Sequence, residues 1–155
     1  EFKNYHDNLQ QLTMVWNHRF TPETYLATEF YYEYQYNARL GGSCIKLNFA
    51  GTEFRCGPII PGLSSSFSAM GQLQHKWTEK DFTSVRMDYF NDFQGQRTGY
   101  VTGYLTWSLG LTHMILDTLK IRPEVRVGTS TNKKPYNNGE DKNFVFGLLD
   151  IVASL

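Results

Sequence analysis

Few side chains in this sequence have the types that do chemistry, and their spacing keeps them apart. His18, His75 and His113 lie on separate segments, and His6 stands alone near the start. A nucleophile, its base and an orienting carboxylate must converge on one spot, and these histidines share no partner in sequence. They read as interfacial residues. Ser64, Ser65 and Ser66 have no base nearby and are expected in a solvated loop. Glu140 and Asp141, with Asn137 and Asn138, offer oxygens of the calcium-binding kind. Their spacing fits no calcium loop, and a solvated turn is expected. No Gly-rich phosphate loop, haem-attachment motif or basic–aromatic pattern is present. With 15 basic and 15 acidic residues the chain is formally neutral, so no polyanion is implied. The reading is of a chain without catalytic residues, cofactor, metal or nucleic-acid partner.

The remaining charges follow a rule of their own. Arg19, Glu29, Glu33, Arg86, Asp88, Lys120, Arg122, Glu124 and Arg126 recur at alternate positions, opposite apolar residues. In the second segment Leu26, Thr28, Phe30, Tyr32, Tyr34 and Tyr36 form one set, against Ala27, Glu29, Tyr31, Glu33 and Gln35. Near residue 120 the contrast is sharper: Ile121, Pro123, Val125 and Val127 oppose Lys120, Arg122, Glu124 and Arg126. A period of two is the signature of a strand with two unlike faces.

Seven such segments are expected: residues 9–20, 25–37, 67–78, 82–92, 98–115, 119–129 and 144–155. Tight turns follow the first, third and fifth, and longer connections follow the others. The polar link 93–96 and an Asn-, Lys- and Gly-rich loop before the last segment belong to the longer set. Segments this long exceed the globular mode of about 5–6 residues but suit a tilted crossing of a bilayer. The expected fold is all-β, an antiparallel transmembrane β-barrel with one domain over residues 1–155. Alternation alone would suit a soluble barrel equally well. Aromatic placement favours the membrane: Trp16, Phe20 and Trp77 lie beside the short turns, and Tyr34, Tyr36 and Tyr89 lie toward the long loops. Rings with polar tips at both strand ends make two girdles at the lipid–water boundary. The charged set would then line a wet lumen, where rows of both signs either filter solutes or brace the wall by cross-strand pairing. Pro123, without an amide donor, predicts a bulge or an unpaired position.

The longest connection, residues 40–66, contains Cys44 and Cys56 among Gly, Ser and Pro. A disulfide closing it is expected in an oxidising compartment, with two free thiols as the alternative. Its Pro58-Ile59-Ile60-Pro61 run is expected to form an apolar tip. Constriction of the lumen, docking of a partner and plain surface cover are equally open to this loop.

The run from Tyr89 to Tyr100, with Leu109-Gly110-Leu111-Thr112-His113 and Ile121-Arg122-Pro123-Glu124-Val125-Arg126, resembles the β-barrel porin-2 family, the OmpL-like group of bacterial outer-membrane proteins. The Pro135-Tyr136-Asn137-Asn138-Gly139 loop and Lys142-Asn143-Phe144 extend the likeness, which is clear from about Phe82 onward. It implies an outer-membrane porin, in contact with lipid and lipopolysaccharide, that passes small hydrophilic solutes by diffusion. A non-conducting scaffold barrel that holds a partner protein by its long loop is the alternative. Members are usually considerably longer, so the chain resembles their C-terminal part. Leu155 stands where outer-membrane barrels commonly carry an aromatic residue. Bacterial barrels have even strand numbers. Seven strands therefore imply further ones, from a longer polypeptide or from other chains.

Overall fold

The computed structural model describes residues 9–42, 45–46, 54–55 and 57–153, with backbone alone at 45–46 and 54–55. Among the described residues nine strands form in chain order: β1 (Gln10–Arg19), β2 (Thr24–Tyr36), β3 (Ile45–Lys46), β4 (Phe54–Arg55), β5 (Leu63–Lys76), β6 (Asp81–Asp92), β7 (Thr102–Leu116), β8 (Leu119–Ser130) and β9 (Asn143–Ala153). The seven long ones make one antiparallel sheet in the order β1-β2-β5-β6-β7-β8-β9, and β3 pairs with β4 in a miniature hairpin. The sheet is not closed, and β1 and β9 are its edges. One 3-10 turn, Asn137–Gly139, is the only helical element among the described residues.

The strands form where alternation and β-favouring side chains coincide, and neighbours pair in continuous register. Glu33 faces Ser66, Ser66 faces Asp92 and Asp92 faces Thr102 across β2, β5, β6 and β7. Connections at one end are short, residues 20–23, 77–80 and 117–118, whereas the longer connections 37–62, 93–101 and 131–142 leave from and return to the other.

Two boundaries differ from expectation. The third long strand starts at Leu63, so Ser64, Ser65 and Ser66 belong to β5 and not to a loop. Small hydroxyls suit this edge of the strand because other segments pack against it; Ser64 and Ser66 are fully buried. The fifth starts at Thr102, because Thr98 is held back by Asp92. Pro123 produces no bulge. Pairing with β7 runs to Glu124 and resumes at Ile121 in unchanged register, and the shift in that ladder lies instead between Met114 and Leu116. The missing amide therefore interrupts the ladder without bending it.

Burial is inverted relative to a water-soluble fold. Among the described residues Ala38 is the one buried hydrophobic side chain, while Glu33, Gln35, Ser64, Ser66, Asp92, Gln96, Thr102 and Ser130 are buried. Large apolar residues such as Leu12, Trp16, Leu109, Val125 and Leu149 are exposed, and no second layer of the described chain covers them.

Candidate channel-lining face

Strand register sorts the long strands into two faces. Because side chains alternate, residues paired across the sheet point the same way. Tyr25 faces Gln74, Gln74 faces Ser84, Ser84 faces Gly110 and Gly110 faces Glu124. Propagated along each strand, that line places Arg19, Glu29, Glu33, Arg86, Asp88, Lys120, Arg122, Glu124 and Arg126 on one face. The opposite face carries Leu12, Met14, Phe30, Met87, Trp107 and Leu109, with Trp16 and Phe20 at the short-turn end of β1 and Tyr34, Tyr36 and Tyr89 toward the long connections. Trp77 begins the second short turn and is 67% exposed.

The three histidines lie on this apolar face, each in its own surroundings. His18 sits between the rings of Trp16 (5.5 Å) and Phe20 (4.6 Å). His75 meets Trp77 edge-on at 4.4 Å and bonds the Thr24 hydroxyl. His113 bonds Asp81 at 2.8 Å.

The charges of the polar face are organised as short ion pairs. Arg86 grips Asp88 through contacts of 2.5–2.9 Å, and Arg126 reaches Glu124 at 2.7 Å; each pair spans two positions of its own strand. Arg122 pairs across the ladder with Asp150 on β9. Arg19, Glu29 and Lys120 share the face without an ion pair among the described residues. At the short-turn end a cleft of about 300 Å³ is lined by Gln74, Phe82, Ser84, Thr112, Lys120 and Arg122, among others.

The long-connection end is built differently, from residues that alternation alone does not single out. The segment 93–101 folds back over the row Glu33, Ser66, Asp92 and Thr102. One oxygen of the fully buried Asp92 accepts the backbone N–H groups of Arg97 (3.0 Å) and Thr98 (2.8 Å) and the Thr98 hydroxyl (2.9 Å). Glu33, 1% exposed, accepts from the Ser66 hydroxyl at 2.6 Å and from Arg97 Nε at 2.7 Å. The Ser64 hydroxyl donates to Gln96 at 2.7 Å, and the Ser65 amide donates to Gln94 at 2.7 Å. Gly95 makes the reversal possible: its φ is +79°, and a Cβ there would meet Leu40 Cδ1 at 2.8 Å. The polar link is thus a latch on the sheet. Asp92, followed by Gly95, Arg97-Thr98 and Gly99, was the available signal: an acceptor just before a glycine-flanked run of donors.

The Pro58–Pro61 run is not a free tip. Ile60 donates its amide to Ala38 (2.7 Å), Leu40 donates to Pro58 (2.9 Å), and Arg39 bridges to Ile59. The run is the returning limb of a stalk whose other limb docks on 93–101 through Gly41 N–H to Gly95 O (2.8 Å). Cys44, Cys56 and their expected disulfide lie outside the described residues.

Aromatic rings also occupy the polar face. Tyr31, Phe90 and Tyr104 share one register line, with centroids 6.5 and 6.0 Å apart. Tyr136, from the 131–142 connection, meets Tyr104 at 6.4 Å and Phe144 at 4.8 Å, and Phe144 stacks on Phe146 at 5.3 Å. Burial, with a smaller push from Tyr104, raises the Tyr136 phenol above its usual range. Beyond it Asn137 and Asn138 adopt left-handed φ of 49° and 56°, and Asn137 bonds both Glu140 and Asp141, a self-satisfied turn.

No family model, no curated protein and no solved structure matches the chain.

Proposed function

We propose that the chain is part of an outer-membrane β-barrel porin that forms a water-filled channel for passive diffusion of small hydrophilic solutes. The observation that carries this reading is the inverted burial: in one sheet, large apolar side chains are exposed while a glutamate and an aspartate are buried. An uncovered apolar face of this extent has a natural solvent in lipid, and a face of ion pairs has one in water. The exposed edges β1 and β9 cannot stand unpaired in a bilayer. Further strands, from a longer polypeptide or from other chains, therefore complete the barrel. The resemblance to the porin-2 family in the motifs from Phe82 onward agrees with this reading, which puts the barrel in a bacterial outer membrane among lipid and lipopolysaccharide. No catalytic step or cofactor enters it: the three histidines stand apart on the apolar face, His18 and His75 among aromatic rings and His113 on Asp81.

The full-length protein reconstituted in planar bilayers is expected to give discrete conductance steps. A pure, folded preparation giving none would sink the channel. The second reading, a non-conducting scaffold barrel, is favoured by the latching of 93–101 onto the polar face and the inward seating of Tyr136. It would be the survivor of that result.

A further inference from the structure

We propose that the polar face carries a binding track for neutral carbohydrate, an inference that rests on the channel reading and names its solute class. The track is the aromatic series Tyr31, Phe90, Tyr104, Tyr136, Phe144 and Phe146, linked by centroid distances of 4.8 to 6.5 Å. Phe90 and Tyr104 lie side by side on adjacent strands with their planes 27° apart. None of the six is fully buried, and Phe146 is 39% exposed. Half-open rings on a wet wall are unfavourable unless an apolar surface covers them. Tyr136 covers part of the series and leaves the rest available.

The surroundings select among ligands. On one side of the series lies the Arg97–Glu33 pair, and on the other lie Arg86–Asp88 and Arg126–Glu124, at 2.5 to 2.7 Å. Glu29, beside Tyr31 and without an ion pair among the described residues, disfavours anions. Each charge of the three pairs already has its counter-charge, so a solute ion must displace a partner to gain one. A polyhydroxyl ligand need not: its hydroxyls can accept from guanidinium N–H groups and donate to carboxylates within the Arg86–Asp88 and Arg126–Glu124 pairs, whereas Glu33 is closed off beneath 93–101. A planar aromatic solute would stack but leave those groups unused. A sugar ring presents C–H faces for the rings and hydroxyl edges for the pairs. The cation site over Phe146 is taken, with Arg126 5.7 Å from the ring centre.

The test uses full-length protein in detergent, with maltohexaose as probe and a polyethylene glycol of similar mass as size control. Saturation-transfer NMR and calorimetry read binding without requiring conductance; planar bilayers then read blockage of the current. Maltohexaose is expected to bind, with contact at its C–H protons, and to block the current reversibly, while the polyether does neither. Phe90→Ala is expected to weaken binding about tenfold, on the scale of one lost aromatic contact. Phe90→Leu keeps the bulk without the ring and should weaken it comparably, which separates ring loss from misfolding. Undetectable sugar binding, equal binding of the polyether, or full binding by Phe90→Leu would overturn the track. Sugar binding without any conductance would overturn the channel and leave the track standing.

Discussion

The two ends of the polar face obey the same alternation and yet hold their charges in opposite ways. At the long-connection end, Glu33 and Asp92 are closed off by 93–101, and Ser66 and Arg97 donate to Glu33. One Asp92 oxygen takes two backbone amides and the Thr98 hydroxyl, while its other oxygen, also buried, has no partner among the described residues. At the short-turn end, Arg122 and Asp150 face each other with about half of each side chain open, and Lys120 borders a cleft. Alternation determines which face a charge occupies. The connections determine whether it is solvated. A buried carboxylate needs several donors at once, and two-residue or four-residue turns are too short to fold back and bring them.

The contrast can be broken most forcibly at Asp92. Asp92→Ala strands two backbone amides and a hydroxyl, and should cost about 1.5–3 kcal/mol, the scale of hydrogen bonds to a charged group. Denaturant midpoints in lipid vesicles read the loss, and new tryptic cleavage at Arg97 reads release of the latch. An unchanged midpoint together with protection of Arg97 would mean that the latch is not held by this residue.

Arg122→Ala should sharpen the comparison by doing little. Its pair is half open to solvent, and screening and side-chain entropy leave such pairs about 0–1 kcal/mol. The same unfolding assay should place it close to the unsubstituted protein. A loss as large as that of Asp92→Ala would erase the distinction between the two ends.

The smallest effect is one of pH. The Tyr136 phenol is raised in the folded chain, so the folded state holds that proton more tightly than the unfolded one. Its contribution is complete below the unfolded value of about 10 and is lost as pH rises through the higher folded value. A phenolate absorbance titration should therefore show a late-ionising component that is smaller by one tyrosine in the Tyr136→Phe variant. That variant should also lack the corresponding weakening at alkaline pH.

These differences explain how far the sequence could be read. The long strands, their faces and the side on which the short turns lie were legible because a two-residue period is local. So was the charged set, since parity alone assigns Arg86 or Glu124 to a face. The latch was not legible: Glu33 and Arg97 meet only because 93–101 turns back across β5, a contact far apart in sequence. Ser64–Ser66 were misplaced for the same reason, as their polarity suggested a loop while their partners Gln35, Gln96 and Glu33 keep them in a strand. The aromatic series was half legible. Tyr31 and Tyr104 have polar-face parity, but their alignment with Phe90 depends on register. In β9, Phe144, Phe146 and Leu148 take the polar side while Val145, Leu149 and Ile151 take the other, so alternation of character fails there.

Arg86 and Arg126 each find a counter-charge two positions away on the same strand. Such a pair is electrically self-contained before any neighbouring strand arrives. It can join a growing sheet hairpin by hairpin without carrying an uncompensated charge through the intermediate stages. Arg122 differs, since its partner arrives only with β9. The order of assembly is thereby written into the wall: the Arg86–Asp88 pair is complete once β6 forms, whereas Arg122 is matched only when β9 is laid down.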